Sequence, residues 1–355
     1  MIDAILSLSI RSRWLVLLLS LLVVGLGLHS LQRLPIDAVP DVTTNQVMVN
    51  TLHPPLTAPE VEQQITFPIE NALAGIPGLE LTRSFSRSGF SQVTAVFGDH
   101  VDVYFARNQI TERLAAVQAL LPEGVVPQLG PITTGLGEVY MYVVEFAHPD
   151  GVGAPVAEGR PGWQRDGSYL TPEGERLRDA FARATYLRTL QDWVIRPQLR
   201  NTAGVASIDS NGGYAKQYHV QPDPRRLAAY GLSYDDLVQA LERNNLATGA
   251  GFVERHGEAW TVRAAARLRD PEQIAAVVVA SRDGVPIRVR DVAAVELGRE
   301  ARTGSASMGG REVVLGTALM LQRANSRQVA IDLDARIAAL GPSLPVDVRV
   351  RTVLN

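Results

Sequence analysis

Cysteine is absent from the 355 residues. That one absence removes disulfides, thiolate metal sites, iron–sulfur clusters and cysteine nucleophiles together. Lysine occurs once, as Lys216, so no Walker A loop can be written and Schiff-base chemistry has a single candidate. Lys216 follows Gly212-Gly213 with no phosphate loop nearby and reads as an ordinary solvated side chain. A basic excess is lacking too. The chain has 34 Lys+Arg against 37 Asp+Glu, a formal charge of -3, which is no footprint for nucleic acid. With 46% hydrophobic and 20% charged residues, the chain is not of the disordered or fibrous class. No Ser/His/Asp arrangement or dense ligand cluster supports a hydrolase, and no catalytic or cofactor-binding residue is assigned.

What the sequence does contain begins with one long apolar run. Trp14 to Gln32 carries no charge. As a helix it would span roughly 28 Å, close to the hydrocarbon thickness of a bilayer. The following Leu28-His29-Ser30-Leu31-Gln32-Arg33 is a poor signal-peptidase site, so the run reads as an uncleaved anchor. Arg11 and Arg13 ahead of it favour a cytoplasmic N-terminus, which puts everything after about Leu34 outside the cytoplasm.

The soluble part reads as one pattern used twice. Asn45–Leu52 is a strand. Thr57-Ala58-Pro59-Glu60 is a capping box opening a helix with Val61, Ile65, Ile69 and Leu73 on one face, and Pro68 predicts a bend. Strands follow at 80–87 and 92–97. Then comes a helix from Asp102 to Leu121 with the stripe Val103, Ala106, Ile110, Leu114, Val117 and Leu121, and a last strand opening at Val125. This βαββαβ order is the ferredoxin-like arrangement. The second copy has a strand at 138–146, a helix at 177–199 and a strand at 205–209. After an interruption come strands near 301–307 and 312–321, a helix at 325–340 and a strand at 346–353. The interruption, 212–298, reads as an α+β subdomain of its own, with Ser233 capping a helix to Asn244. A separate stretch, 147–176, is rich in glycine and proline, which predicts an exposed loop.

Several motifs then carry a resemblance. Leu34-Pro35-Ile36-Asp37-Ala38-Val39-Pro40-Asp41 follows the apolar helix. Farther on stand Asp102-Val103-Tyr104-Phe105-Ala106-Arg107 and Gly130-Pro131-Ile132-Thr133-Thr134-Gly135-Leu136-Gly137-Glu138. The series ends with Gln191-Asp192-Trp193-Val194-Ile195-Arg196-Pro197-Gln198-Leu199 and Val313-Val314-Leu315-Gly316-Thr317. In this order they resemble the heavy-metal efflux branch of the resistance-nodulation-division transporters, nearest to the cobalt-zinc-cadmium permease subunit. The resemblance runs from the N-terminus to Asn355. Members of that branch are longer, so the chain reads as an N-terminal portion, incomplete alone.

The resemblance implies a secondary transporter and not an enzyme: a proton-driven cation exporter of the bacterial inner membrane, with the bulk of this chain periplasmic. It implies a homotrimer embedded in membrane lipid, joined to a periplasmic adaptor and an outer-membrane channel. The chain then divides into 1–35, cytoplasmic N-terminus and transmembrane helix; 36–134, porter subdomain N1; 135–211 with 299–355, porter subdomain N2; and 212–298, a docking subdomain. No proton relay falls in this chain, because Trp14–Gln32 holds no carboxylate.

Ligands for the transported ion are sparse. His29, His53, His100, His148, His219 and His256 are scattered without helical or finger spacing and read as surface or turn residues. Five methionines form no thioether cluster, so borderline divalent ions such as zinc, cobalt or cadmium fit better than soft monovalent ones. The candidate metal residues are Glu138, opening a strand after Gly-Leu-Gly, and Asp192 on the helix of the same unit. Paired oxygens would suit a transiently bound cation, and the plain alternative makes them a solvated strand end and a helix acid beside Arg196. A different class of function, a membrane-anchored periplasmic binding or assembly module, accounts for the same elements.

Overall fold

The computed structural model describes residues 10–32, 44–53, 56–245, 247–255, 258–265, 268, 270–300, 302, 304–322 and 324–355. The motif at 34–41, His256 and Ala301 lie outside these residues. Helix α1, Arg13–Gln32, holds the apolar run. Its window Arg13–Ser30 is the one span among the described residues long and apolar enough to cross a membrane, and none of it is buried.

The first unit contains strands β1 (Asn45–Leu52), β2 (Leu79–Arg87), β3 (Phe90–Phe97) and β4 (Gln128–Leu129). They form one sheet in the order β2-β3-β1-β4. Two helices cover one face. Helix α2 has three pieces, Ala58–Val61, a π-helical turn Glu62–Thr66 and Phe67–Leu73. Its first turn is held as the sequence suggests: Glu60 accepts from the Thr57 amide at 2.8 Å and from its hydroxyl at 2.7 Å. Val61, Ile65, Ile69 and Leu73 are completely buried, each contributing about 1.5–3 kcal/mol of burial free energy. Pro68 was expected to bend the helix. It has no amide to return to the preceding turn, and the backbone answers with the π-turn just ahead of it. Helix α3, Val103–Val117, is capped by Asp102, whose side chain accepts from the Phe105 amide. Its stripe from Ala106 to Leu121 is buried.

The second unit contains β5 (Thr133–Phe146), then three two-residue strands β6 (Gly162–Trp163), β7 (Tyr169–Leu170) and β8 (Arg176–Leu177). Helix α4 follows in three pieces, Ala180–Leu190, the π-turn Gln191–Ile195 and Arg196–Arg200. A proline again stands second after the π-turn, Pro197 in place of Pro68. Strand β9, Val205–Asn211, leads into the insert. The insert holds β10 (Lys216–Pro222), α5 (Pro224–Tyr230), α6 (Tyr234–Asn244), β11 (Ala247–Arg255) and β12 (Glu258–Ala265). It continues through α7 (Pro271–Ala276), β13 (Val278–Arg282), β14 (Val285–Arg288), α8 (Val289–Val292) and β15 (Ala293–Arg299). Strands β10 and β15 pair as an antiparallel ribbon from Lys216↔Arg299 to Pro222↔Ala293. Leu227, Leu237, Val289 and Val292 centre the insert's own core. The chain then returns through β16 (Ala306–Met308), β17 (Arg311–Leu321), α9 (Ser326–Leu340) and β18 (Val348–Leu354).

The second sheet runs β9-β17-β5-β18, with β16 folded back on the start of β17. Counting strands within each unit and leaving out β6–β8, the short β16 and the insert, both sheets have the order second, third, first, fourth. The two cores are separate clusters, one on α2 and α3, the other on α4 and α9.

The stretch 147–176 is not the exposed loop its composition suggests. Strands β6–β8 make a small sheet of their own, and Trp163, Tyr169 and Leu177 are buried in the second unit's core. Phe146, Trp163 and Tyr169 pack edge to face, with centroids 4.9–5.4 Å apart. Asp347 fastens the segment, accepting from Trp163 Nε1 at 2.7 Å and lying 2.6 Å from His148 Nδ1. Burial pushes the Tyr169 hydroxyl up to about 12. Glycine and proline here shape tight turns between aromatic anchors, so composition misled where three aromatic contacts decided.

Candidate functional site

The motifs of the second unit converge beneath its sheet. Gly316 sits on β17 opposite Tyr142 of β5. A Cβ at Gly316 would stand 2.2 Å from the Tyr142 ring, so only glycine leaves room for the phenol to lie flat. The Tyr142 hydroxyl reaches Gln191, donating to Oε1 at 3.1 Å and accepting from Nε2 at 3.0 Å. Gln191 Nε2 also reaches Ser210 Oγ on β9 at 3.1 Å. Gln191 is fully buried, and three strands or helices are keyed through its one amide. Burial is the main cause that pushes the Tyr142 hydroxyl well above the ordinary phenol range.

The π-turn sets how the neighbouring residues point. Gln191 turns inward, while Trp193, two positions on, is 80% exposed. Asp192 lies between. It takes Arg188 Nε at 2.7 Å and Arg196 Nη1 at 3.5 Å. Arg188 also donates from Nη1 to the Gly212 carbonyl at 2.8 Å, which ties the helix to the start of the insert. The ion pair with Arg196 anticipated from the sequence is present. The shorter pair with Arg188, and its onward link to Gly212, were not read from the sequence.

Glu138 does not join this cluster. A register shift lies between Ala318 and Leu319, so Tyr140 pairs with Ala318 but Glu138 pairs with Leu319. Neighbouring residues of a strand face opposite sides. Tyr140 and Ala318 are completely buried, whereas Glu138 is exposed. The two carboxylates therefore belong to different environments: Asp192 under the helix with two arginines, Glu138 in solvent. Among the described residues no group of three or more His, Asp or Glu side chains could hold a metal ion. Lys216 pairs with Glu175 at 3.1 Å, and so is less free than its reading as a solvated side chain.

The motifs of the first unit are structural as well. Asp102 caps α3, and Arg107 of the same helix donates to the Gly130 carbonyl at 2.7 Å. That bond fixes the turn that leads from β4 to β5. Burial lowers the Arg107 pKa.

Sequence reasoning missed the joint between the second unit and the insert. Glu312 on β17 accepts from the Gly213 amide at 3.2 Å and from Arg302. Arg302 lies 4.2 Å from the Tyr214 ring centroid. The signal was present in Gly212-Gly213, both at positive φ, +79° and +62°. A cavity of about 430 Å³ opens beside this joint, between Phe181, Tyr214, Met308 and Arg311.

Comparison with known proteins places these observations. A profile of the AcrB/AcrD/AcrF family matches residues 5–355. The chain is 52% identical to the nickel and cobalt resistance protein CnrA of Cupriavidus metallidurans, across all of this chain and 33% of that protein. It is 47% identical to the cobalt-zinc-cadmium resistance protein CzcA of the same species, over 31% of its length. It is 34% identical to the cation efflux system protein CusA of Escherichia coli, again over 31%. A crystal structure of a heavy metal efflux pump superposes with a TM-score of 0.80 at 29% identity, covering 99% of this chain and 32% of the pump. The chain thus spans about a third of the length of these relatives. It belongs to the AcrB/AcrD/AcrF family, as its separated motifs imply.

Proposed function

We propose that the chain is the N-terminal third of an inner-membrane permease that exports divalent metal cations, nickel, cobalt, zinc or cadmium, in exchange for protons. The observation that carries this reading is the uninterrupted match of the whole chain to nickel, cobalt and cadmium resistance proteins. In this reading α1 anchors the chain, residues 36–134 form one porter subdomain, and 135–211 with 299–355 form a second. The shared strand order of the two sheets supports treating both as ferredoxin-like. The insert 212–298 docks against a neighbouring subunit of a homotrimer, and the assembly meets a periplasmic adaptor and an outer-membrane channel. Proton coupling needs a titratable group inside the membrane field. The described part of α1 has no Asp or Glu, so the relay belongs to the part of the permease outside this third.

Glu138 is the carboxylate open to a passing cation, because it is exposed and no cation among the described residues pairs with it. Asp192 is charge-balanced by Arg188 and Arg196, and its contribution to transport runs through the shape of the second unit. The test is a metal-sensitive host expressing the longer permease that contains this chain. Nickel, cobalt, zinc and cadmium tolerance should rise, with efflux abolished by an uncoupler. Residues 1–355 alone should give none. Unchanged tolerance to all four ions with the permease present in the membrane would end this reading. Glu138→Gln should lower transport without loss of assembly, and full transport would remove it from the ion path.

A further inference from the structure

The insert is attached to the second unit by two chain crossings. One runs through Asn211, Gly212, Gly213 and Tyr214 into β10. The other runs from Arg299 at the end of β15 through Arg302 and Gly304 into β16. Beyond them the β10–β15 ribbon leads into the rest of the insert, and Lys216 at its foot pairs with Glu175 of the second unit. A two-stranded ribbon with glycines at its foot should pivot, since glycine gives the backbone its widest freedom. The foot is nevertheless packed. A Cβ on Gly212 would lie 2.3 Å from the Val313 carbonyl oxygen, and one on Gly213 would lie 2.9 Å from the Ala184 carbonyl oxygen. These glycines allow close approach to β17 and α4.

One side chain reaches both crossings. Glu312 Oε1 accepts from the Gly213 amide on the outgoing crossing at 3.2 Å and from the Arg302 guanidinium on the returning one. Charge-assisted bonds of this kind are stronger and more directional than neutral ones. Aromatic rings fill the space between. Arg302 lies over Tyr214 at 4.2 Å, and Arg299 stands 5.0 Å from Tyr214 and 5.4 Å from Phe181. The Phe181 and Tyr214 rings are 4.8 Å apart. Phe181 belongs to α4, so the stack joins the returning crossing to the helix. On the opposite side Arg188, held by Asp192, grips the Gly212 carbonyl.

We infer that Glu312 is a positioning residue that locks both crossings, so that the insert is carried by the second unit as a rigid arm at one fixed angle. The inference rests on the reading of 212–298 as a docking part only for its purpose; the lock itself is a property of this chain. A rigid arm would pass any tilt of the second unit directly to whatever the insert touches. A pivoting arm would absorb it.

The absence of cysteine makes the test direct. The full 355-residue chain in detergent, carrying Val238→Cys on α6 and Ile331→Cys on α9, is spin-labelled at both exposed positions. Pulsed dipolar spectroscopy then reads the distance distribution between insert and second unit. One narrow distribution is expected in the parent. Glu312→Gln and Arg302→Gln should each broaden it about twofold, and the double variant should be no broader than either, because partners in one network are not additive. Glu312→Asp with a restored narrow distribution would separate charge positioning from mere packing. Arg302 lies outside the sheet, so its variant keeps the test open should Glu312→Gln fail to fold. Unchanged widths in both folded single variants would overturn the lock. Lost trimer cross-linking in the longer permease after deletion of 212–298 tests the docking reading separately, because it does not depend on these widths.

Discussion

The two units share a strand order and a helix with a π-turn before proline, yet they bury polarity differently. In the first unit the π-turn ends at Thr66, whose hydroxyl lies 2.8 Å from Ser86 Oγ and 2.7 Å from Ser91 Oγ. Three small neutral hydroxyls key the helix to β2 and β3. In the second unit the π-turn begins at Gln191, which engages Tyr142 and Ser210, and beside it Asp192 engages two arginines. The first unit is closed on itself and needs only a key. The second has a whole insert emerging from its sheet, and its charges lie where that insert departs. Polarity in the second core is thus spent on directing the chain outward. Asp192, a candidate metal ligand in the sequence, is paired with Arg196 and with Arg188, the arginine that reaches the joint.

The largest difference between the units should appear at their glycines. Gly212→Ala would force φ near +79° on a residue with a Cβ and drive that Cβ against the Val313 carbonyl. A loss of about 3 kcal/mol is expected. Gly124, in the first unit, has a similar φ of +80° with nothing within 4 Å of the added Cβ. Gly124→Ala should cost about 1 kcal/mol, the left-handed backbone penalty alone. Denaturant melts of both variants check this, and equal losses would mean that the foot of the insert is not packed.

The polar keys come next. Tyr142→Phe leaves the fully buried Gln191 amide with Ser210 as its remaining partner, a loss of about 2 kcal/mol. Thr66→Val removes one hydroxyl from a set of three and leaves smaller groups behind, about 1 kcal/mol. Combining Tyr142→Phe with Gln191→Met should recover part of the loss, because the unsatisfied amide goes too. A double variant worse than the sum of the singles would contradict the keying role.

Much of this architecture was legible in the sequence because it rests on periodicity and caps. Val61, Ile65, Ile69 and Leu73 sit where helical spacing puts them, Ser233 caps its helix as read, and the helices expected to start at Asp102 and Asn325 are capped there by those side-chain oxygens. Contacts between distant segments were not legible. Nothing local marks Asp347 as the anchor of His148 and Trp163, so 147–176 looked like a loop. The register shift at Val139, which turns Glu138 outward, has no signal in the alternation of Glu138-Val139-Tyr140. The joint was half visible: Gly212-Gly213 could be read as a special backbone, but its closure by Glu312, a hundred residues later, could not.

A smaller effect is expected at Asp192. Arg188 and Asp192 are only 21% and 17% exposed at their side chains, so solvent screens the pairing only in part. Asp192→Asn should cost about 1 kcal/mol, and less at high salt. Arg188→Gln should cost more than Asp192→Asn, because it also releases the Gly212 carbonyl. The reverse ranking in melts at low salt would show that the carboxylate, and not its link to the joint, is what the fold requires.

The smallest effect distinguishes the first turns of the two long helices. Glu60 accepts two hydrogen bonds from Thr57, first from its hydroxyl and then from its amide, and these hold its carboxyl below the usual carboxylate value of 4.5. A carboxyl lowered by folding contributes stability that is present above its unfolded value and is lost as pH falls through its folded value. The first turn of α2 should therefore exchange its amide hydrogens faster as pH drops below about 4.5, after correction for intrinsic exchange. Helix α4 begins instead at Asp179, which accepts from the Ala182 amide at 2.7 Å with no reciprocal partner, so the reciprocal box is a device of the first unit. Glu60→Gln is the decisive control. An amide oxygen can still accept from Thr57 but does not titrate, so the acid-dependent part of the opening at residues 58–61 should vanish while protection at neutral pH falls only slightly. Acid-sensitive exchange that persists unchanged in Glu60→Gln would assign the effect to another group and leave the box as a purely geometric cap.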